Sequence, residues 1–205
     1  MRKSRSQSPF SAKFQNPPRK PVNRKARSRE YLTCHEVEDL RKAARAIGRH
    51  GHRDDALILL MFRHGLRISE LIALRWDQVD LKQGLLHVVR LKNGKPATHP
   101  VYSVEIRALR KLQRDYPDSR YLFVSERMAP LTARSVHHII ARAGQAADFG
   151  FSVHPHMLRH STGFYLANKG TDTRTIQAYL GHSNINNTVI YTQLSPNRFK
   201  NLWQD

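Results

Sequence analysis

The longest unbroken apolar run in the chain, Ala56 to Phe62, covers seven residues between Asp54-Asp55 and Arg63-His64. A bilayer crossing takes about twenty apolar residues of helix, so this run cannot span one. It reads instead as a helix that is apolar all round, which stays in water only if other elements enclose it. The rest of the chain offers those elements. Thr33-Cys34-His35-Glu36 has the spacing of a capping box, and Val37, Leu40, Ala43, Ala44 and Ile47 then line one face of a helix that Gly48 ends. The apolar helix itself is expected to stop near Gly65. Ser69 is expected to cap a short helix carrying Glu70, Leu71, Ile72 and Leu74, leaving Arg67 in the connection before it.

Leu85 to Leu91 is rich in apolar and β-branched residues, and Asn93-Gly94 follows as a two-residue turn signal, because both central positions of a type I′ turn need positive φ. A β-hairpin with Lys92 at its tip is the expectation. Pro96 cannot donate to a ladder, so the returning strand should be an edge strand beginning at Ala97. Helices are expected over Val104 to Tyr116, Ala133 to Ala143 after Thr132, Pro155 to Asn168 and Thr173 to Leu180, with Gly170 and Gly181 beyond the last two. Two short helices close the chain. One holds Thr188 to Tyr191, and a tail helix opens at Ser195-Pro196 and carries Phe199, Leu202 and Trp203. The fold class is therefore mainly α with a small antiparallel β-sheet (α+β), built as one domain over residues 30–205.

Residues 1–29 differ in kind: ten basic residues, four prolines and no acidic residue read as a disordered basic arm. The arm holds about half of a net charge of +19, so the folded part is basic as well. Phosphate contacts by Lys and Arg release condensed counterions, which makes a polyanion the expected partner. Charge alone does not choose between DNA and RNA. No apolar stretch with a small-residue cleavage site follows the basic start, and the expected location is cytoplasmic and nucleoid-associated, with no membrane partner. A single cysteine, Cys34, excludes an internal disulfide framework and a Cys-rich zinc site.

The chemistry lies in the second half. His156 and His160 stand at i, i+4 and could imitate a metal pair, but no acidic or cysteine ligand accompanies them, and no metal or cofactor is expected. Tyr191, within Thr188-Val189-Ile190-Tyr191, reads alone as an ordinary half-buried tyrosine. Their order changes that reading. Gly65-Leu66-Arg67-Ile68-Ser69-Glu70-Leu71, then Lys92, then His156-Met157-Leu158-Arg159-His160, then Leu180-Gly181-His182, then Tyr191 resembles the tyrosine recombinases, also called the lambda integrase family. The resemblance runs from about Tyr31 to about Trp203. The intervals fit as well, with Arg159 and His182 separated by 23 residues and Tyr191 nine beyond His182. Within the family the chain most resembles the short fimbrial phase-variation (Fim-type) invertases, through His154 to Ser161 and Thr171 to His182.

The resemblance implies that Tyr191 attacks a phosphodiester, releases a 5′-hydroxyl and leaves a 3′-phosphotyrosyl bond. It implies Arg67 and Arg159 on the non-bridging oxygens, His182 as a third phosphate ligand, His156 as base or proton shuttle toward Tyr191, and Lys92 as general acid, with Lys95 the rival. Those residue types suit those tasks. A planar guanidinium presents paired donors to an oxyanion, and imidazole titrates near neutrality. Glu70 is expected to support the Arg67 loop, while His154, His160, His137 and His138 are expected to be structural or DNA-facing. The implied partners are double-stranded DNA with inverted-repeat sites, a homotetramer on synapsed DNA and an accessory DNA-bending protein. The implied function is inversion of a DNA segment controlling fimbrial gene expression. A phage or transposon integrase, a type IB topoisomerase and a non-catalytic DNA-binding regulator are the alternatives.

Overall fold

The computed structural model describes residues 30–90, 96–193 and 195. The basic arm, Lys92 and Lys95, and the tail helix with Phe199, Leu202 and Trp203 lie outside the described residues.

Helix α1 (Cys34–Ala46) opens on the expected cap: the Thr33 hydroxyl accepts from Glu36 N, and the Glu36 carboxylate accepts from Thr33 N at 2.7 Å. Helix α2 (Gly51–His64) contains the apolar run, and Ala56 to Met61 are each 1% exposed or less. The all-round apolar helix is thus enclosed as its composition demands. Arg41 Nε donates to Asp55 Oδ1 at 2.7 Å and Arg45 pairs with the same carboxylate, which locks α1 against α2. Gly65 ends α2 with φ +58°, a left-handed conformation suited to glycine.

After α3 (Ile68–Ile72) and a one-turn 3₁₀ helix at Trp76–Gln78, a three-stranded antiparallel sheet forms in the order β1 (Val79–Asp80), β2 (Leu85–Val88), β3 (Ala97–Pro100). The edge strand begins at Ala97, next to Pro96, as expected. Strand β1 was not legible, because two residues carry no alternation pattern. Val88 pairs with Ala97, the last pair among the described residues, beside Pro96, which has no N–H to offer a ladder. The expected Asn93-Gly94 turn with Lys92 at its tip lies outside the described residues.

Five further helices follow among the described residues: α4 (Ser103–Asp115), α5 (Ala133–Ala146), α6 (Pro155–Asn168), α7 (Thr173–Leu180) and α8 (Asn186–Gln193). Their bounds lie within three residues of the sequence expectations. Helices α1, α4 and α6 pack around α2, and α6, α7 and α8 pack on one another. No helix among the described residues is long and apolar enough to cross a membrane. The architecture is mainly helical with one small antiparallel sheet.

Candidate active site

The left-handed turn at Gly65 brings the chain against α7: a Cβ there would meet Leu180 Cδ2 at 2.4 Å. Arg67 follows in extended conformation and is itself the N-cap of α3. Here the structure corrects the expectation that Ser69 caps this helix. Ser69 lies inside α3, and the helix start is instead held by Glu70, whose carboxylate accepts from Arg67 N at 2.9 Å and from Arg67 Nη1 at 2.6 Å. Glu70 lies three residues after Arg67, the capping-box spacing, and Arg90 fixes its carboxylate in place. Burial alone would raise the Glu70 pKa, but the charge of Arg90 and hydrogen bonds from Arg67 and Arg90 hold it below the usual carboxylate range.

Helix α6 begins at Pro155, where a missing N–H costs nothing, and carries the His-x-x-Arg-His run. Arg159 is 1% exposed. Its Nη1 donates to Gly65 O, its Nη2 donates to Leu180 O at 2.7 Å, and it stands 4.0 Å from Glu70 Oε2. One guanidinium thereby joins the turn that delivers Arg67 to the end of the helix that delivers His182. Burial, then repulsion from Arg67 and Arg90, brings the Arg159 pKa down to about 9.

Tyr191 projects from α8 onto α6 and is 1% exposed. Its hydroxyl lies 2.9 Å from His160 Nδ1, and its ring meets Phe164 edge-on at 5.1 Å between centroids. The ring reaches this place because residue 163 is glycine: a Cβ there would come within 2.5 Å of Tyr191 Cε2. Gly163→Ala is therefore expected to displace the Tyr191 ring, slow covalent attachment to DNA by about a hundredfold, as sub-ångström to 1 Å misplacements do, and cost about 1–3 kcal/mol of stability. Single-turnover cleavage and denaturant unfolding measure the two effects. Burial pushes the Tyr191 phenol up to about 12, opposed by Arg159.

His182 follows Gly181, the left-handed cap of α7. Its Nδ1 lies 2.9 Å from Thr188 Oγ1, and its ring centroid is 6.4 Å from that of Tyr191. Burial, then the charges of Arg159 and Arg67, lowers its pKa to about 3, and burial with His64 and Arg90 brings His99 to a similar value. Both imidazoles are neutral in the folded chain, whereas the unfolded chain protonates them near pH 6.5. The unfolded state thus binds more protons below that pH, so stability rises with pH up to about 6.5. Thermal melts between pH 7.5 and 5 should show falling stability below pH 6.5, ahead of carboxylate titration. Replacing His99 by Asn should reduce the slope.

The structure gathers Arg67, Arg159, His182 and Tyr191 at one place, where the ends of α2 and α7 meet α6 and α8. His156 is exposed, and its ring meets that of His160 edge-on at 4.5 Å. The histidine hydrogen-bonded to Tyr191 is thus His160, which sequence reasoning treated as structural or DNA-facing. Lys92 is outside the described residues. Arg90, two residues beyond β2, was also missed. Its one visible signal was a cation inside an otherwise apolar strand pattern.

A family model described as the phage integrase family matches residues 30–198. Type 1 fimbriae regulatory protein FimB of Escherichia coli K12 is 44% identical over 182 residues, covering 86% of this chain and 90% of that protein. The FimE protein of the same strain is 41% identical over 182 residues, covering 86% and 91%. A crystal structure of XerA recombinase superposes with a TM-score of 0.72 at 29% identity, over 90% of this chain and 64% of that one. The match extends across all the elements that meet around Tyr191, and the chain belongs to the phage integrase family, the tyrosine recombinases.

Proposed function

We propose that this chain is a site-specific DNA recombinase that cuts and rejoins DNA through Tyr191 and inverts a DNA segment controlling fimbrial gene expression. The carrying observation is the placement of the Tyr191 hydroxyl 2.9 Å from His160 Nδ1, on the helix that carries Arg159, with Arg67 and Arg159 both near the Glu70 carboxylate. Similarity to FimB and FimE supports the inversion reading.

In the reaction, the Tyr191 oxygen bonds to phosphorus as the bond to the 5′-oxygen breaks. Arg67, Arg159 and His182 donate to the non-bridging oxygens, where charge grows in the transition state. The phenol proton passes to His160, the group at 2.9 Å, with His156 against its ring as the way outward. Lys92, on the segment between β2 and β3, protonates the departing 5′-oxygen. Rejoining runs the same steps backward from a partner strand's 5′-hydroxyl, so the phosphodiester energy is kept in the phosphotyrosyl bond. The proposed assembly is a homotetramer on synapsed inverted repeats in the nucleoid, aided by an accessory DNA-bending protein.

A plasmid carrying a promoter between the inverted repeats taken from DNA flanking the gene tests this reading. The expected result is inversion by wild-type protein and none by Tyr191→Phe. Relaxation of supercoils without inversion would favour a type IB topoisomerase, recombination only with an unlike partner site an integrase, and unchanged regulation by Tyr191→Phe a non-catalytic regulator.

A further inference from the structure

Arg90 has a side chain that is 0% exposed, and among the groups around Tyr191 it has no role in the chemistry outlined above. Its Nη1 donates to Glu70 Oε2 at 2.8 Å. Its Nη2 donates to His64 O at 3.1 Å and to Tyr179 O. These carbonyls belong to the last turns of α2 and α7, the helices that lead into Arg67 and His182. The stem passes under the cap of α7 only because residue 181 is glycine, since a Cβ there would meet Arg90 Cγ at 2.6 Å.

Glu70 is therefore one carboxylate among three arginines. Oε1 takes Arg67 Nη1, Oε2 takes Arg67 N and Arg90 Nη1, and Arg159 waits 4.0 Å from that same Oε2. Burying an ion pair costs desolvation that an apolar residue of similar size would avoid, so stability alone is a poor reason for a buried cation at this position. Its position suggests a different role. By occupying Oε2, Arg90 keeps the carboxylate from closing on Arg159, whose charge has to face the phosphate.

We propose that Arg90 is a positioning residue that holds Glu70 in its bridge to Arg67 and away from Arg159, keeping both clamp arginines available to the scissile phosphate. This rests on the assignment of Arg67 and Arg159 to the phosphate. When Arg90 is removed, Glu70 swings to the next cation and quenches it. Glu70 then becomes an inhibitor of the clamp it normally orients, and deleting its charge should relieve the defect.

The test is single-turnover formation of the covalent complex on a nicked duplex carrying the inverted repeat, for wild type, Arg90→Met, Glu70→Gln and the double variant. Arg90→Met is expected to bind intact site DNA as wild type does and to form the adduct about a hundredfold more slowly, the size of one lost transition-state donor. The double variant is expected to be faster than Arg90→Met, a non-additive gain that a merely structural role would not produce. A double variant as slow as Arg90→Met or slower overturns the proposal. If Arg90→Met melts below the assay temperature, Arg90→Lys carries the test: it reaches Glu70 but not both carbonyls, and it should retain at least a tenth of the wild-type rate. A rate as low as that of a clamp-arginine deletion would contradict the proposal. A wild-type protein that forms no adduct removes the underlying assignment, and the role of Arg90 with it.

Discussion

Tyr191→Phe is expected to abolish the covalent protein–DNA complex completely while leaving affinity for site DNA within about threefold. The substitution removes one oxygen and keeps the ring, which is the part of Tyr191 that packs: its contact with Phe164 at 5.1 Å and the close approach to Gly163 survive. The lost hydroxyl removes one hydrogen bond, the one to Nδ1 of the half-buried His160. The stability cost should therefore be that of one net hydrogen bond, about 1 kcal/mol. No neighbouring side chain replaces the nucleophile, since an imidazole and guanidiniums do not form the phosphodiester that rejoining needs. A gel-shift titration and a denaturing gel of the adduct on a nicked duplex separate binding from chemistry.

Arg159→Ala is expected to have the second-largest effect, a loss of about 10²–10³ in the rate of covalent attachment, with a stability loss alongside it. The two effects have different origins. In the proposed reaction the rate should fall because a donor to the non-bridging oxygens disappears as charge moves onto them. The stability falls because the carbonyls of Gly65 and Leu180 lose their shared donor in a buried place, at about 1–3 kcal/mol for each group left unpaired. Arg159→Lys separates them. An ammonium keeps the charge but cannot span both carbonyls and the phosphate at once, so adduct formation should stay well below wild type even where the melting temperature recovers. Equal recovery of rate and stability by lysine would show that only charge matters at this position.

The parts of this molecule that were legible in its sequence are those governed by local rules. Thr33 and Glu36 form the capping box their spacing implies, Gly65 and Gly181 take left-handed caps, and Pro155 opens α6. The all-round apolar character of Ala56 to Phe62 announced the central helix. The α3 cap was misread because a partner fixed by tertiary contact won. Ser69 is a good cap by type, but the backbone N–H of Arg67 is taken by Glu70, three residues on, whose carboxylate is itself held by Arg90.

The site shows the same division. Tyr191 had no distinguishing mark of its own and became a candidate through the order of Arg67, Lys92, His156, Arg159 and His182 around it. Which histidine meets its hydroxyl was not readable, because His156 and His160 lie one turn apart on the same face of α6. The choice depends on where α8 crosses that face, which Gly163 determines by admitting the ring. Arg90 was invisible for a related reason: its meaning lies in Glu70, twenty residues earlier in the chain.

The central claim is that Tyr191 is the nucleophile. Digestion of the covalent complex trapped on a nicked duplex, followed by mass spectrometry of the nucleotide-bearing peptide, tests it most directly. The account predicts a 3′-phosphodiester on the Tyr191 oxygen in the peptide spanning α8. Attachment through any other residue, or an adduct that persists in Tyr191→Phe, would contradict it.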